Sequence, residues 1–90
     1  MHISWNKDKE KWLWENRKIS LERISEKLKN GEFDVCPVDN QVNHKGQQMF
    51  LVEIDEYIHC VPFVEDNTGV FLKTAFKSRK LQKEKVWKNH

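Results

Sequence analysis

Residues 49–64 constrain this chain more than any other stretch. Phe50, Val52 and Ile54 alternate with Met49, Leu51 and Glu53, and after Asp55-Glu56 the run Tyr57 to Val64 resumes the alternation. A period of two sends successive side chains to opposite faces of a strand, so each run reads as a strand with one face toward a core. Two such runs parted by two residues form a hairpin, which places Ile54 opposite Tyr57, Val52 opposite His59 and Phe50 opposite Val61. Neither turn residue is glycine, which leaves a one-residue shift of this register open.

The first thirty residues follow a different period. After the short strand-like start His2-Ile3-Ser4-Trp5, Asn6 is a good N-cap for a helix from Lys7 to Asn16, with Lys7, Glu10, Lys11 and Glu15 on its wet side. Ser20 can cap a second helix whose apolar residues Leu21, Ile24 and Leu28 recur at i, i+3 and i+7, and Asn30-Gly31 ends it. About three residues join the two helices. Beyond Gly31, Phe33, Val35 and Cys36-Pro37 suggest a strand that Pro37 confines to an edge or an end, and residues 39–47 read as a polar loop. Asp66-Asn67-Thr68-Gly69 is a turn, Val70 to Phe76 a further strand, and the basic tail from Lys77 favours helix. The expected fold is a single α+β domain over residues 1–90. Two N-terminal helices pack on one face of a three- to four-stranded antiparallel sheet, followed by a short basic C-terminal helix.

Composition matters mainly through its distribution. The formal net charge is only +2, yet residues 1–30 sum to +3, residues 31–72 to −7 and residues 73–90 to +6. Block charge is what a partner feels at short range, and the basic ends are expected to gather at one pole with Asp34, Asp39, Asp55, Glu56, Glu65 and Asp66 elsewhere. Ninety residues exclude a separate cofactor-binding domain. No apolar run approaches a membrane span or a signal peptide, so a cytoplasmic protein without membrane contact is expected. Cys36 and Cys60 lack zinc-ligand spacing and read as buried free thiols. Trp5, Trp12, Trp14 and Phe50 read as core, since a domain this small needs large side chains to build one, with base stacking as the functional alternative.

Two patches of sequence resemble a known family. Trp5-Asn6-Lys7-Asp8-Lys9 is similar to a Trp-Asp-x-x-Lys helix start, and Asn16-Arg17-Lys18-Ile19-Ser20-Leu21 stands where a Lys-His-Gly-Val-Ser-Phe run is found. Near the end, Phe76-Lys77-Ser78-Arg79-Lys80-Leu81 takes the place of Ile-Ser-Ala-Arg-Lys-Ala. These are motifs of the BrnT-type toxins of bacterial toxin–antitoxin pairs, small ribonucleases of the RelE-like fold class. The family's Asp, His and Gly are Asn6, Arg17 and Lys18 here. The resemblance implies a translation-inhibiting endoribonuclease acting on RNA, including ribosome-bound mRNA. It also implies a small cognate antitoxin of ribbon-helix-helix type, with DNA reached only through the toxin–antitoxin complex.

Metal-independent RNA cleavage needs a base for the 2′-hydroxyl, an acid for the 5′-oxygen and fixed cations beside a phosphate that gains charge. Arginine suits the last task because its planar fork holds two phosphate oxygens, so Arg79 and Arg17 are the candidate catalytic cations. Lys18, Lys80 and Lys77 are candidate RNA contacts. His44, His59 and Glu53 are the candidate acid–base groups, His59 lying mid-strand with Tyr57, Val61 and Phe63. No metal constellation or phosphate-cradling glycine loop is present in the sequence, and no cofactor is expected. The alternative is a non-catalytic RNA- or partner-binding module that uses the same basic surface. A third reading is a structural protein whose charge blocks drive self-association.

Overall fold

The structure is a computed structural model and describes residues 2–37 and 47–78. Its elements in chain order are β1 (Ile3–Trp5), α1 (Lys7–Arg17), α2 (Leu21–Lys29), β2 (Asp34–Pro37), β3 (Gln48–Ile54), β4 (Tyr57–Asp66), β5 (Gly69–Leu72) and β6 (Phe76–Lys77). Both caps fall where side-chain chemistry places them. The Asn6 side-chain oxygen accepts a hydrogen bond from the Lys9 amide at 3.0 Å, and the Ser20 hydroxyl accepts one from the Arg23 amide at 3.2 Å.

The hairpin of β3 and β4 has the register read from the alternation: Ile54 faces Tyr57, Val52 faces His59 and Phe50 faces Val61. Asp55 and Glu56 hold the turn at φ of 54° and 64°, the positive values that a tight two-residue hairpin turn requires. Strand β2 pairs antiparallel with β3 as an outer strand, and Pro37 is its last residue. On the far edge of β4, β5 and then β6 follow one another, parted at residues 73–75, where the Lys73 amide still donates to the Pro62 carbonyl at 2.9 Å.

The expected α+β arrangement of RelE-like type, two helices on a three- to four-stranded antiparallel sheet, does not hold. Among the described residues the sheet has six strands, is mixed, and outweighs the helices. The main departure is β1, which pairs in parallel with β5 through Ile3–Val70, Ser4–Phe71 and Trp5–Leu72. Its physical cause is an open strand edge. Antiparallel pairing with β4 leaves the other side of β5 with unpaired backbone groups, and the N-terminal tripeptide supplies partners for them. The expected basic C-terminal helix, with Arg79 and Lys80, lies outside the described residues, and so does His44.

The helices bury Leu13, Ile19, Leu21, Ile24 and Leu28 against Phe50, Val52, Ile54, Val61, Phe63, Val70 and Leu72. Phe50 stacks on Phe63 at a centroid distance of 3.9 Å, and Phe33 meets the edge of Phe50 at 5.1 Å. Met49, Leu51 and Cys60 form a second cluster on the opposite face, with Cys36 packed against it. Cys60 is buried and Cys36 half-buried, and no disulfide joins them.

Gly69 is where the parallel strand depends on one residue. Its φ is 148°, its amide donates to Asp66 Oδ1, and the next amide, Val70, donates to the His2 carbonyl at 2.9 Å. A Cβ at this position would collide with the His2 carbonyl. Gly69→Ala is expected to cost about 1–3 kcal/mol, through backbone strain and displacement of β1. Urea unfolding should show the loss, and hydrogen exchange should show an unprotected Val70 amide. Unchanged stability and protection would contradict this account of β1.

Candidate functional site

Helix α1 ends on a left-handed residue. Lys18 has φ 55° and ψ 37°, its amide donates to the Trp14 carbonyl at 3.1 Å, and the Ile19 amide donates to the Leu13 carbonyl at 3.2 Å. This cap turns the chain sharply enough to bury Ile19 beside Leu13. A lysine there costs about 1 kcal/mol relative to glycine. The cap places Lys18 in the lining of a cavity of about 160 Å3 between the helix pair and the sheet.

Three elements supply the cavity wall. Trp14, Lys18, Ser20 and Arg23 come from the helices, Ile54, Asp55, Tyr57 and His59 from the hairpin, and Lys77 from β6. Lys77 is the register partner of His59, so the two side chains stand on the same face of neighbouring strands. The Ser78 amide, donating to the Ile58 carbonyl at 3.1 Å, extends that pairing past the end of β6. Lys77 Nζ lies 5.7 Å from the centre of the Tyr57 ring, and Lys18 Nζ lies 5.2 Å from that of Trp14.

Arg23 forms a bidentate pair with Asp55, at 2.9 and 3.1 Å. This pair ties α2 to the hairpin turn. It also holds the Asp55 carboxyl below the usual carboxylate range, the Arg23 hydrogen bonds being the main cause. Three cations therefore meet one carboxylate around the cavity, and the expectation that Asp55 stands apart from the basic residues fails.

His59 is 4% exposed. Its Nδ1 lies 2.9 Å from the Tyr57 carbonyl oxygen, which has only lone pairs to offer, so Nδ1 carries the proton and Nε2 is the acceptor. Burial pushes its pKa below the ordinary histidine value, with Lys77 and Arg23 adding in the same direction, while the Tyr57 carbonyl and Asp55 oppose. Near neutral pH the ring is uncharged and able to accept a proton.

Of the residues read from sequence, Lys18, His59 and Lys77 come together. Arg17 does not line the cavity. Its Nη1 donates to the Ala75 carbonyl at 2.7 Å and its guanidinium lies 4.9 Å over the Trp12 ring, which fixes the chain segment between β5 and β6 instead. Glu53 alternates with Met49 and Leu51 on the opposite face of the sheet, away from His59. Arg79, Lys80 and His44 lie outside the described residues. Arg23, Asp55 and Tyr57 are cavity residues that were not candidates from the sequence, and Trp14 lines the cavity although the core is where it was expected. Opposite charge on Arg23 and Asp55 was their only local signal. Trp12 and Trp14, expected in the core, are 43% and 54% exposed, whereas Phe50 is buried and Trp5 packs against the core. Among the described residues no group of three or more His, Cys, Asp or Glu side chains could hold a metal ion, and no helix is long and apolar enough to cross a membrane. No protein-family model matches the chain, and comparison with curated proteins and with solved structures gives no match.

The His59 environment makes stability depend on pH. The unfolded chain takes up a proton at this histidine near the ordinary value of about 6.5, whereas the folded chain resists it to lower pH. Stability is therefore complete above that value and declines as pH falls through it toward the folded pKa. Urea midpoints between pH 7.5 and 5.5 should fall for the wild type and fall less for His59→Gln. Equal slopes for both proteins would contradict a histidine held neutral by burial.

Proposed function

We propose that the chain binds single-stranded RNA at this cavity and cleaves it without a metal ion, as the toxin of a toxin–antitoxin pair. The observation that carries the reading is the convergence of Lys18, Arg23 and Lys77 on a neutral His59. A phosphodiester brings one negative charge to a site with a net positive surplus, and the transition state brings more. His59 Nε2 takes the 2′-hydroxyl proton, the 2′-oxygen attacks phosphorus, and the departing 5′-oxygen acquires a proton from water. The products are a 2′,3′-cyclic phosphate and a free 5′-hydroxyl.

Left-handed lysine at the cavity supports the same reading. Backbone strain persists where something other than stability retains it, and glycine would fit position 18 at lower cost. The similarity of residues 5–9, 16–21 and 76–81 to BrnT-type motifs supplies the reaction class and the partner, a small antitoxin of ribbon-helix-helix type that covers the cationic mouth. The rival reading is a binding module with the same phosphate contacts and no chemistry.

Incubation of the purified chain with single-stranded RNA in EDTA is expected to yield fragments ending in cyclic phosphate. His59→Gln should bind RNA and leave it intact, and 2′-deoxy substitution at the cut site should block cleavage. Binding should weaken with salt with a log–log slope of about −2, reduced by about 0.7 on Lys77→Ala. Lys18→Gly should weaken RNA binding while stabilising the fold by about 1 kcal/mol. Salt-dependent binding by the wild type with no cleavage product would select the rival, and absence of binding would overturn both.

A further inference from the structure

A second cavity, of about 310 Å3, adjoins the first. Trp14 and Ser20 line both, and the larger cavity continues along Lys7, Glu10 and Lys11 with Ile19 as an apolar wall. Lys7, Glu10, Lys11 and Trp14 follow one another at helical spacings of three and four, so they form one face of α1. The indole of Trp14 is more than half exposed, an unusual state for the largest apolar side chain in a chain short of core residues. Lys18, which lies over that ring, lines only the smaller cavity. The indole therefore borders both cavities, with the Lys18 cation beside it in the smaller one.

We propose that the larger cavity is a nucleobase subsite, in which the base of the nucleotide next to the bound phosphate stacks on Trp14. The inference rests on the RNA reading of the smaller cavity and adds where the base goes. Two features argue for a base as the occupant. A flat aromatic wall recognises any base through its π face, and the adjoining cations hold the phosphate to which that base is tethered. Lys7 and Lys11 line the same cavity, Lys7 with its ammonium 3.9 Å from the Glu10 carboxylate, and offer cations to the neighbouring phosphate of a strand running along α1. Such a subsite selects single-stranded over duplex RNA, because a paired base has both faces already stacked.

The test is equilibrium binding of two fluorescently labelled RNA octamers, one intact and one with abasic nucleotides throughout, to the wild type, Trp14→Ala, Trp14→Phe and Lys18→Ala. The wild type is expected to bind the abasic strand about 5- to 150-fold more weakly than the intact one, the range that base–aromatic stacking spans. Trp14→Ala should lose that discrimination by weakening only for the intact strand, and Trp14→Phe should retain most of it. Lys18→Ala should weaken both strands alike. Equal binding of intact and abasic RNA by the wild type, or undiminished discrimination by Trp14→Ala, overturns the subsite while leaving the phosphate site standing. No binding of either strand by the wild type overturns the RNA reading and the subsite with it.

Discussion

Strand β4 is hydrogen-bonded along both edges, and the candidate site depends on that double pairing. On one edge β3 fixes Val52 opposite His59; on the other, β6 fixes Lys77 opposite the same histidine. A side chain in such a position cannot leave its face without a slip in two registers at once. The helix pair, anchored by Leu13, Ile19 and Leu21 on the apolar face of the sheet, then brings Lys18 and Arg23 over the position that the two ladders define. Cations contributed by a helix cap, a helix first turn and an outer strand segment thus meet through packing, without being neighbours in sequence.

Electrostatics and strain act in the same place. Among the described residues Lys18 and Asp55 are two of the three non-glycine residues with positive φ, and both line the smaller cavity. The Asp55 turn is pinned by Arg23, so part of the positive charge is already engaged when the site is empty. Any anion that enters the cavity competes with that carboxylate. Both partners are solvent-exposed, so the exchange is inexpensive and the pair is a weak latch. Arg17 contributes differently, through its hold on the Ala75 carbonyl just before β6, and so steadies the approach of Lys77.

Much of this arrangement was legible in the sequence. Alternation through residues 49–64 with a two-residue turn pointed to the observed hairpin register, with a one-residue shift left open by the non-glycine turn, and Asn6 and Ser20 marked the helix starts because their side chains replace missing backbone partners. The row Leu21, Ile24, Leu28 gave the buried face of α2. Other features had no local signal. Three residues are too few to show a period, so the parallel pairing of β1 with a strand more than sixty residues away, and with it the mixed six-stranded sheet among the described residues, has no signal in the pattern. Trp12 and Trp14 are two positions apart on a helix, about 200° around the axis, so they cannot both share the buried face of Leu13. That spacing could have revealed their exposure. Lys77 was identifiable as a cation, but its place beside His59 follows from the interruption at residues 73–75, which nothing in the pattern announces.

Nitrogen-detected NMR of the His59 ring during titration with single-stranded RNA tests the central claim most directly. The account predicts a neutral ring protonated on Nδ1 at pH 7. On RNA addition the Nε2 resonance should move together with the backbone amides of Lys18, Ser20, Arg23 and Lys77. A charged ring in the free protein, or RNA-induced shifts that gather on the opposite sheet face around Val64 and Phe71 while His59 stays unmoved, would contradict it.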